Sequence, residues 1–178
     1  MTDQTALRVA DLPQNAPTPF ALRPDADALE RLKQELGLLG LRKLSFSGEI
    51  RAQGKRDWVL TGKLGATVVQ PCVVTLDPVT TRIETEVRRI YLADWKDPEG
   101  DEAEMPDDDE AEALGSEIDP GAVMAEALSL ALPQYPRKEG AGLGATVHTE
   151  PGKPAMTDDD AKPFAGLAGL RDSLKKGE

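Results

Sequence analysis

Between residues 43 and 91, apolar and polar residues alternate in three long runs, and this pattern constrains the fold more than any other feature of the chain. Because successive side chains of a β-strand point to opposite faces, each run predicts a strand with one buried face. A turn around Gly54 and a connection over residues 71–78 separate the runs, so neighbouring strands are expected to pair antiparallel. Three or four such strands form a curved meander. The residues expected on the buried face are Leu44, Phe46, Ile50, Ala52, Trp58, Leu60, Leu64, Ala66, Val68, Val79, Thr81, Ile83, Thr85, Val87 and Tyr91.

An N-terminal strand and a helix are expected before these runs. Leu7 and Val9 predict a short first strand. Four leucines at helical spacing then predict a helix with one buried stripe. Asp27 is the expected N-cap, with Glu30 as its capping-box partner, and Gly37 and Gly40 mark the helix end. The four leucines are Leu29, Leu32, Leu36 and Leu39.

A second helix is expected after the third run. Asp119 is a good N-cap, Pro120 fits the first helical position, and Pro133 ends the helix. The sequence therefore predicts an α+β fold, in which a curved antiparallel β-sheet packs with two helices. The residues expected on the buried face of the second helix are Val123, Met124, Ala127, Leu128 and Ala131.

The negative charge of the chain is concentrated in one segment. Residues 94–119 carry 13 acidic side chains and one basic side chain, whereas the whole chain has a formal charge of −11. Self-repulsion and few apolar residues predict a long, flexible acidic loop over residues 94–118. A solubilising linker, a cation site and a contact for basic proteins are the alternatives. A calcium loop is not expected, because residues 107–110 lack the alternating ligand pattern.

The chain is expected to comprise one α+β domain over residues 1–136 and a disordered tail over residues 137–178. A short amphipathic segment over residues 162–176 closes this tail. It could dock on the domain, lie on a membrane surface or bind a partner, and an isolated helix of this length is marginal in water. The apolar residues that we expect to dock a partner are Phe164, Leu167 and Leu170.

The sequence offers little catalytic chemistry. One cysteine and one histidine exclude an internal disulfide and the usual His/Cys zinc sites. His148 lies in the expected tail without a rigid partner, and Cys72 is interpreted as a small buried residue. No phosphate-binding loop, membrane span or export signal is recognisable. We therefore expect a cytoplasmic protein that is not an enzyme and binds no metal or cofactor.

Basic residues of the strand region form a possible nucleic-acid contact. Several point outward by alternation, so one face of the sheet could touch RNA phosphates. Trp58 is expected to point inward, which removes it from base stacking. Ordinary solubilising charge is the alternative. The residues expected to contact RNA are Arg82, Arg88 and Arg89.

Three stretches, taken in order, resemble one protein family. They are CVVTLDPV at residues 72–79, EIDPGAVMAEALSLALPQYP at residues 117–136 and KPFAGLAGL at residues 162–170. They are similar to the CxxCLxPx segment, the helix ending in LaLP and the closing NPFA motif of the large ribosomal RNA subunit accumulation proteins, the YceD-like family. Thr75 stands where that family has its second cysteine, so an inherited zinc role is not expected here.

The resemblance implies a non-catalytic ribosome-biogenesis factor in bacteria. Such a factor supports the synthesis, processing or stability of large-subunit (23S) rRNA. The implied partners are 23S rRNA or rRNA-processing and ribosomal proteins, and neither a membrane nor DNA is expected. The alternative is a general protein-interaction adaptor with only an indirect effect on RNA.

Overall fold

A computed structural model describes residues 5–95 and 110–142, and all of the helices and strands below lie in these two ranges. The helices are α1 (Ala26–Glu35) and α2 (Pro120–Ala131). The strands are β1 (Leu7–Arg8), β2 (Thr18–Leu22), β3 (Gly40–Gln53), β4 (Asp57–Pro71), β5 (Pro78–Leu92), β6 (Ala111–Ala113) and β7 (Glu117–Ile118). Neither helix is long and apolar enough to cross a membrane.

Five strands form one open sheet in the order β2-β3-β4-β5-β6. The first four pair antiparallel, and β6 adds to β5 in parallel. β1 and β7 form a separate antiparallel pair, in which Leu7 lies opposite Ile118. The predicted α+β fold, with a curved antiparallel sheet and two helices, is confirmed.

Two features of β3 change how it packs against β4. A bulge shifts the register between Arg42 and Ser45, and bulges increase the local twist of a strand. Further along, Gly48 lies opposite Gly62, and the ring of Phe46 covers Gly62. A side chain at Gly62 would meet that ring, since its Cβ would lie 2.6 Å from Phe46 Cε2. The glycine pair thus lets an aromatic ring lie directly on the backbone.

The core lies between one face of the sheet and the two helices. Phe46, Ile50, Trp58 and Leu60 are almost fully buried, as the period-two pattern predicted. The ring of Phe20 in β2 packs against Phe46 at a centroid distance of 5.0 Å. The buried residues of α2 are Pro120, Val123, Met124, Ala127 and Leu128.

Helix α1 begins earlier than the sequence predicted. Asp25 is the N-cap, and its carboxylate accepts a hydrogen bond of 2.8 Å from the backbone N–H of Ala28. The prediction of Asp27 as the cap was therefore wrong. Glu30 instead accepts from Gln34 and pairs with Lys33, because the helix is already formed at that point.

The end of α1 was only partly predicted. Gly37 has a φ of 63°, as expected for the residue that closes a helix. Leu39 lies beyond the helix, and its N–H bonds the carbonyl of Val69 at 2.8 Å. Its side chain is 55% exposed, so its assignment to the buried stripe was wrong. Gly40 is the first residue of β3 rather than the end of the helix.

The start of α2 agrees with the sequence prediction. Asp119 accepts a hydrogen bond of 2.8 Å from the N–H of Gly121, and Pro120 occupies the first turn. The helix ends at Ala131, two residues before Pro133.

The expected acidic loop and C-terminal tail fall largely outside the described residues, which omit residues 96–109 and 143–178. At its C-terminal end, however, the expected loop contains β6 and β7. The prediction of a continuous loop to residue 118 was wrong there. The N–H of Leu114 bonds the carbonyl of Leu92 at 2.9 Å, and such backbone pairing needs no apolar periodicity.

Candidate functional site

The sheet face turned away from the core, called here the outer face, carries most of the charged side chains of the strands. On β3, β4 and β5, these side chains alternate with the buried ones. Two adjacent depressions of about 730 Å³ and 410 Å³ lie on this face. Their charged and hydroxyl-bearing lining residues are Ser45, Ser47, Glu49, Thr61, Lys63, Arg82, Glu84, Thr85, Glu86, Arg88 and Glu110.

Arg82 lies across the floor of the smaller depression. A Cβ at Gly65 would lie 2.8 Å from Arg82 Nη2, so the guanidinium rests over the backbone of β4. Its Nη2 donates to Glu84 at 3.0 Å, and its Nη1 donates to Thr67 at 3.5 Å. The Arg82 side chain is 45% exposed, which leaves much of its edge open to a ligand.

Arg88 lies on the same face at the larger depression. Its Nη1 donates to Glu110 at 2.7 Å, and the side chain is 44% exposed. Arg82 and Arg88 are six positions apart on β5, which corresponds to about 20 Å along a strand. The two arginines therefore lie on the same face of the sheet, but they are too far apart to bind the same phosphate group.

Arg89 lies on the opposite side of the sheet. It follows Arg88 directly in β5, so the alternation of the strand turns it toward α2. Its guanidinium pairs with Glu126 of that helix, and the side chain is only 16% exposed. Arg89 thus joins the sheet to α2, while Arg82 and Arg88 face outward.

Several basic side chains on the outer face are paired with carboxylates nearby. Lys63 pairs with Glu86 at 3.4 Å, and Arg51 pairs with Glu49 on the same strand. Exposed ion pairs contribute only about 0–1 kcal/mol each. An arginine of this face could consequently exchange its carboxylate for a phosphate at little cost.

Charged side chains that are partly or fully exposed surround the buried Tyr91. Burial is the main cause of a raised pKa for the Tyr91 hydroxyl, and the carboxylate of Glu112 raises it further. The cationic Arg89 acts in the opposite direction. Tyr91 therefore stays protonated and can donate a hydrogen bond to Glu112 of β6. The cluster connects β5, β6 and α2.

The connection between β4 and β5 forms a second distinctive site, the Cys72 turn (residues 72–77). Cys72 is fully buried, and its sulfur accepts hydrogen bonds of 3.4 Å from the N–H groups of Val74 and Lys138. The N–H of Val73 bonds the carbonyl of Pro136 at 2.9 Å. The turn is thereby fastened to the segment that follows α2.

Hydrogen bonds also change the acidity of the thiol. The side chain of Thr75 makes the largest contribution, followed by the backbone N–H of Lys138, and together they lower the pKa of Cys72 to about 6. Lys138 pairs with Asp77 at 3.0 Å, and both Lys138 and Thr75 lower the pKa of that carboxyl. Cys72 is buried, as predicted, but it acts as a hydrogen-bond acceptor rather than only as an apolar residue.

Among residues 5–95 and 110–142, no group of three His, Cys, Asp or Glu side chains is arranged to hold a metal ion. The residues predicted to dock a partner, Phe164, Leu167 and Leu170, lie outside these ranges, as does His148. Their roles stay predictions.

Comparison with protein-family models identifies the family. The model described as "Large ribosomal RNA subunit accumulation protein YceD" matches residues 60–171, which is more than half of the chain. The chain belongs to the YceD family. The resemblance seen in the sequence is thereby confirmed. Neither the comparison with curated proteins nor that with solved structures gave a match.

The YceD match starts inside β4 and includes the Cys72 turn, β5 and α2. It covers all three arginines predicted to contact RNA, whereas β2, α1 and β3 precede it. The family name associates the chain with large-subunit rRNA accumulation and hence with ribosome biogenesis.

Proposed function

We propose that this YceD-family protein is a non-catalytic factor that supports the synthesis, processing or stability of 23S rRNA. The family match over residues 60–171 is the observation that carries this proposal. In this role the domain acts as an adaptor between rRNA and proteins that process or assemble it. It needs no metal or cofactor, and it works in the bacterial cytoplasm without membrane or DNA contacts.

The outer face supplies the proposed RNA contact. Arg82 and Arg88 line its two depressions, and each is close to half exposed. Guanidinium groups bind phosphates bidentately, so each arginine would exchange a carboxylate for a backbone phosphate. Arg89 supports the site differently, because its pairing with Glu126 holds β5 against α2.

A second candidate function is a protein-interaction adaptor with only an indirect effect on RNA. The pairing of outer-face cations with carboxylates favours it, since such pairing reduces the net positive potential that draws RNA to a surface. In this reading Phe164, Leu167 and Leu170 dock a partner, and the acidic residues 94–118 attract basic proteins.

The first test is the ratio of large- to small-subunit rRNA in cells that lack the protein, with a complemented strain as control. A selective fall in large-subunit rRNA supports the proposal. An unchanged ratio contradicts it. Complementation with Arg82→Glu/Arg88→Glu then tests the outer face, and Arg56→Glu is the matched control because Arg56 pairs with Asp94 away from both depressions.

Salt dependence separates direct RNA binding from protein docking. Each phosphate contact to single-stranded RNA contributes about −0.7 to the slope of log K against log salt. Loss of Arg82 and Arg88 should therefore reduce the slope for a 23S rRNA fragment by about 1.4. An unchanged slope would exclude these residues from phosphate contact and favour the adaptor function.

A further inference from the structure

Strand β2 forms one edge of the five-stranded sheet, and among residues 5–95 and 110–142 it pairs only with β3. A groove of about 620 Å³ runs along it, between α1 and the first turn of α2. Every residue from Thr18 to Pro24 lines this groove. Consecutive side chains of a strand point to opposite faces, so a cavity that touches all of them lies beside the strand, at its free edge.

The groove is lined by both apolar and polar side chains and is cationic at one end. Phe20, Leu22 and Met124 contribute to its apolar lining. Arg23 and Arg31 are the charged side chains among the described residues that line it. Arg23 directly follows β2, and Arg31 lies within α1.

These two arginines differ from Arg82 and Arg88 of the outer face. Arg82 and Arg88 have carboxylate partners, but Arg23 and Arg31 are exposed and pair with no described residue. At the other end of the groove, Thr18 Oγ1 is buried and lacks a hydrogen-bond partner among the described residues. The groove therefore offers unneutralised positive charge, whereas the Thr18 hydroxyl is buried and is not presented to a ligand.

We propose that this groove binds an extended segment of a partner protein, with apolar residues along its length and acidic residues at one end. The segment adds to β2 as a sixth strand and places its acidic end beside Arg23 and Arg31. A free strand edge supplies main-chain hydrogen bonds, and the flanking side chains supply specificity. Two cations beside an apolar lining suit an acidic peptide better than the repeated phosphates of RNA.

The free edge of β2 is suited to such pairing. Proline within a paired strand belongs where its missing N–H would face away from the neighbour, so Pro19 directs its backbone to the free edge. By alternation, Ala21 also presents its N–H and carbonyl there. Five residues of strand span about 17 Å, which accommodates a segment of similar length.

The test uses the full chain and two fluorescein-labelled heptapeptides. One has two glutamates followed by alternating valine and threonine, and the other has two lysines in place of the glutamates. In an antiparallel addition, the N-terminal pair lies beside Arg23. Fluorescence anisotropy measures both affinities, and circular dichroism with thermal unfolding confirms that each variant is folded.

The acidic peptide should bind at least tenfold more tightly than the lysine peptide. Arg23→Glu/Arg31→Glu should reverse that preference, and Ala21→Pro should weaken both peptides at least fivefold by removing the edge N–H. Arg42→Glu is the matched control, since Arg42 is an exposed arginine of β3 outside the groove. It should change either affinity by less than twofold.

Three results would overturn the proposal. The first is equal binding of both peptides to the unchanged chain, or no binding of either at millimolar concentration. The second is an oligomeric chain that Ala21→Pro converts to monomers, which would assign the groove to a second copy. The third is peptide binding that appears only in the Phe164→Asp variant. This result would mean that the chain's own C-terminal segment occupies the groove in the unchanged protein.

Discussion

Gly48 gives the sharpest test of how the sheet is built, because an added methyl group there meets only backbone. A Cβ at Gly48 would lie 1.9 Å from the carbonyl oxygen of Thr61 and 2.5 Å from the Cα of Gly62. Real Cβ contacts are essentially never closer than 3.0 Å. Gly48→Ala must therefore move β3 away from β4 by about 1.1 Å at the centre of the sheet.

Such a displacement breaks the local ladder. A hydrogen bond of about 2.9 Å that lengthens by this amount is no longer a hydrogen bond. Two lost bonds at about 1 kcal/mol each, together with about 1–3 kcal/mol of overpacking, give a destabilisation of roughly 3–5 kcal/mol. That is a large fraction of the 5–15 kcal/mol typical of domains.

Matched glycines provide the controls. Gly62→Ala meets the ring of Phe46, which can shift, so we expect a smaller loss of about 1–3 kcal/mol. Gly115→Ala meets no atom closer than 3.7 Å and should change stability by less than about 0.5 kcal/mol. Urea unfolding followed by the fluorescence of the buried Trp58 measures all three. A Gly48→Ala chain as stable as Gly115→Ala would refute the close approach of β3 and β4.

Three further predictions concern the sites that connect the elements. The lowered pKa of Cys72 means that the folded state favours the thiolate. The free energy of unfolding should therefore rise between pH 6 and pH 9, and this contribution should be lost as the pH falls through about 6. Cys72→Ala should flatten that part of the curve of stability against pH. A double-mutant cycle on Arg89→Ala and Glu126→Ala should give a coupling of about 1 kcal/mol in urea unfolding, and zero coupling would remove the pair as a link to α2. Leu128→Ala should cost about 2–5 kcal/mol in the same assay, because Leu128 is fully buried, whereas the exposed Leu130→Ala should cost less than about 0.5 kcal/mol.

The antiparallel strands were predictable because their signal is local. One buried face produces a period of two, and the buried positions of β4, from Trp58 to Val68, follow it. The same alternation also separates Arg88 from Arg89, and applying it there would have assigned the two to opposite faces. The prediction that both arginines contact RNA used their charge alone, and charge does not show to which face of the sheet a side chain points.

Other features depend on contacts between residues that are distant in the sequence, and they produce no periodic pattern of apolar residues. β6 and β7 have only three and two residues, and they form because their backbones pair with β5 and β1. The pairing of Arg88 with Glu110 and of Arg89 with Glu126 likewise depends on which elements become neighbours. The cap of α1 was misplaced for a local reason, because Asp25 and Asp27 are both suitable capping residues and sequence alone does not choose between them.

The Cys72 turn forms a tight connection between β4 and β5 with a single cysteine. Thr75 donates to Asp77 at 3.1 Å, and Asp77 in turn pairs with Lys138. The sulfur of Cys72 accepts the N–H of the same Lys138 at 3.4 Å. A hydroxyl, a carboxylate and an ammonium group thus join the β4–β5 turn to the segment after α2. Both stretches lie within residues 60–171, the range that the family model matches, so this contact joins two distant parts of the matched region.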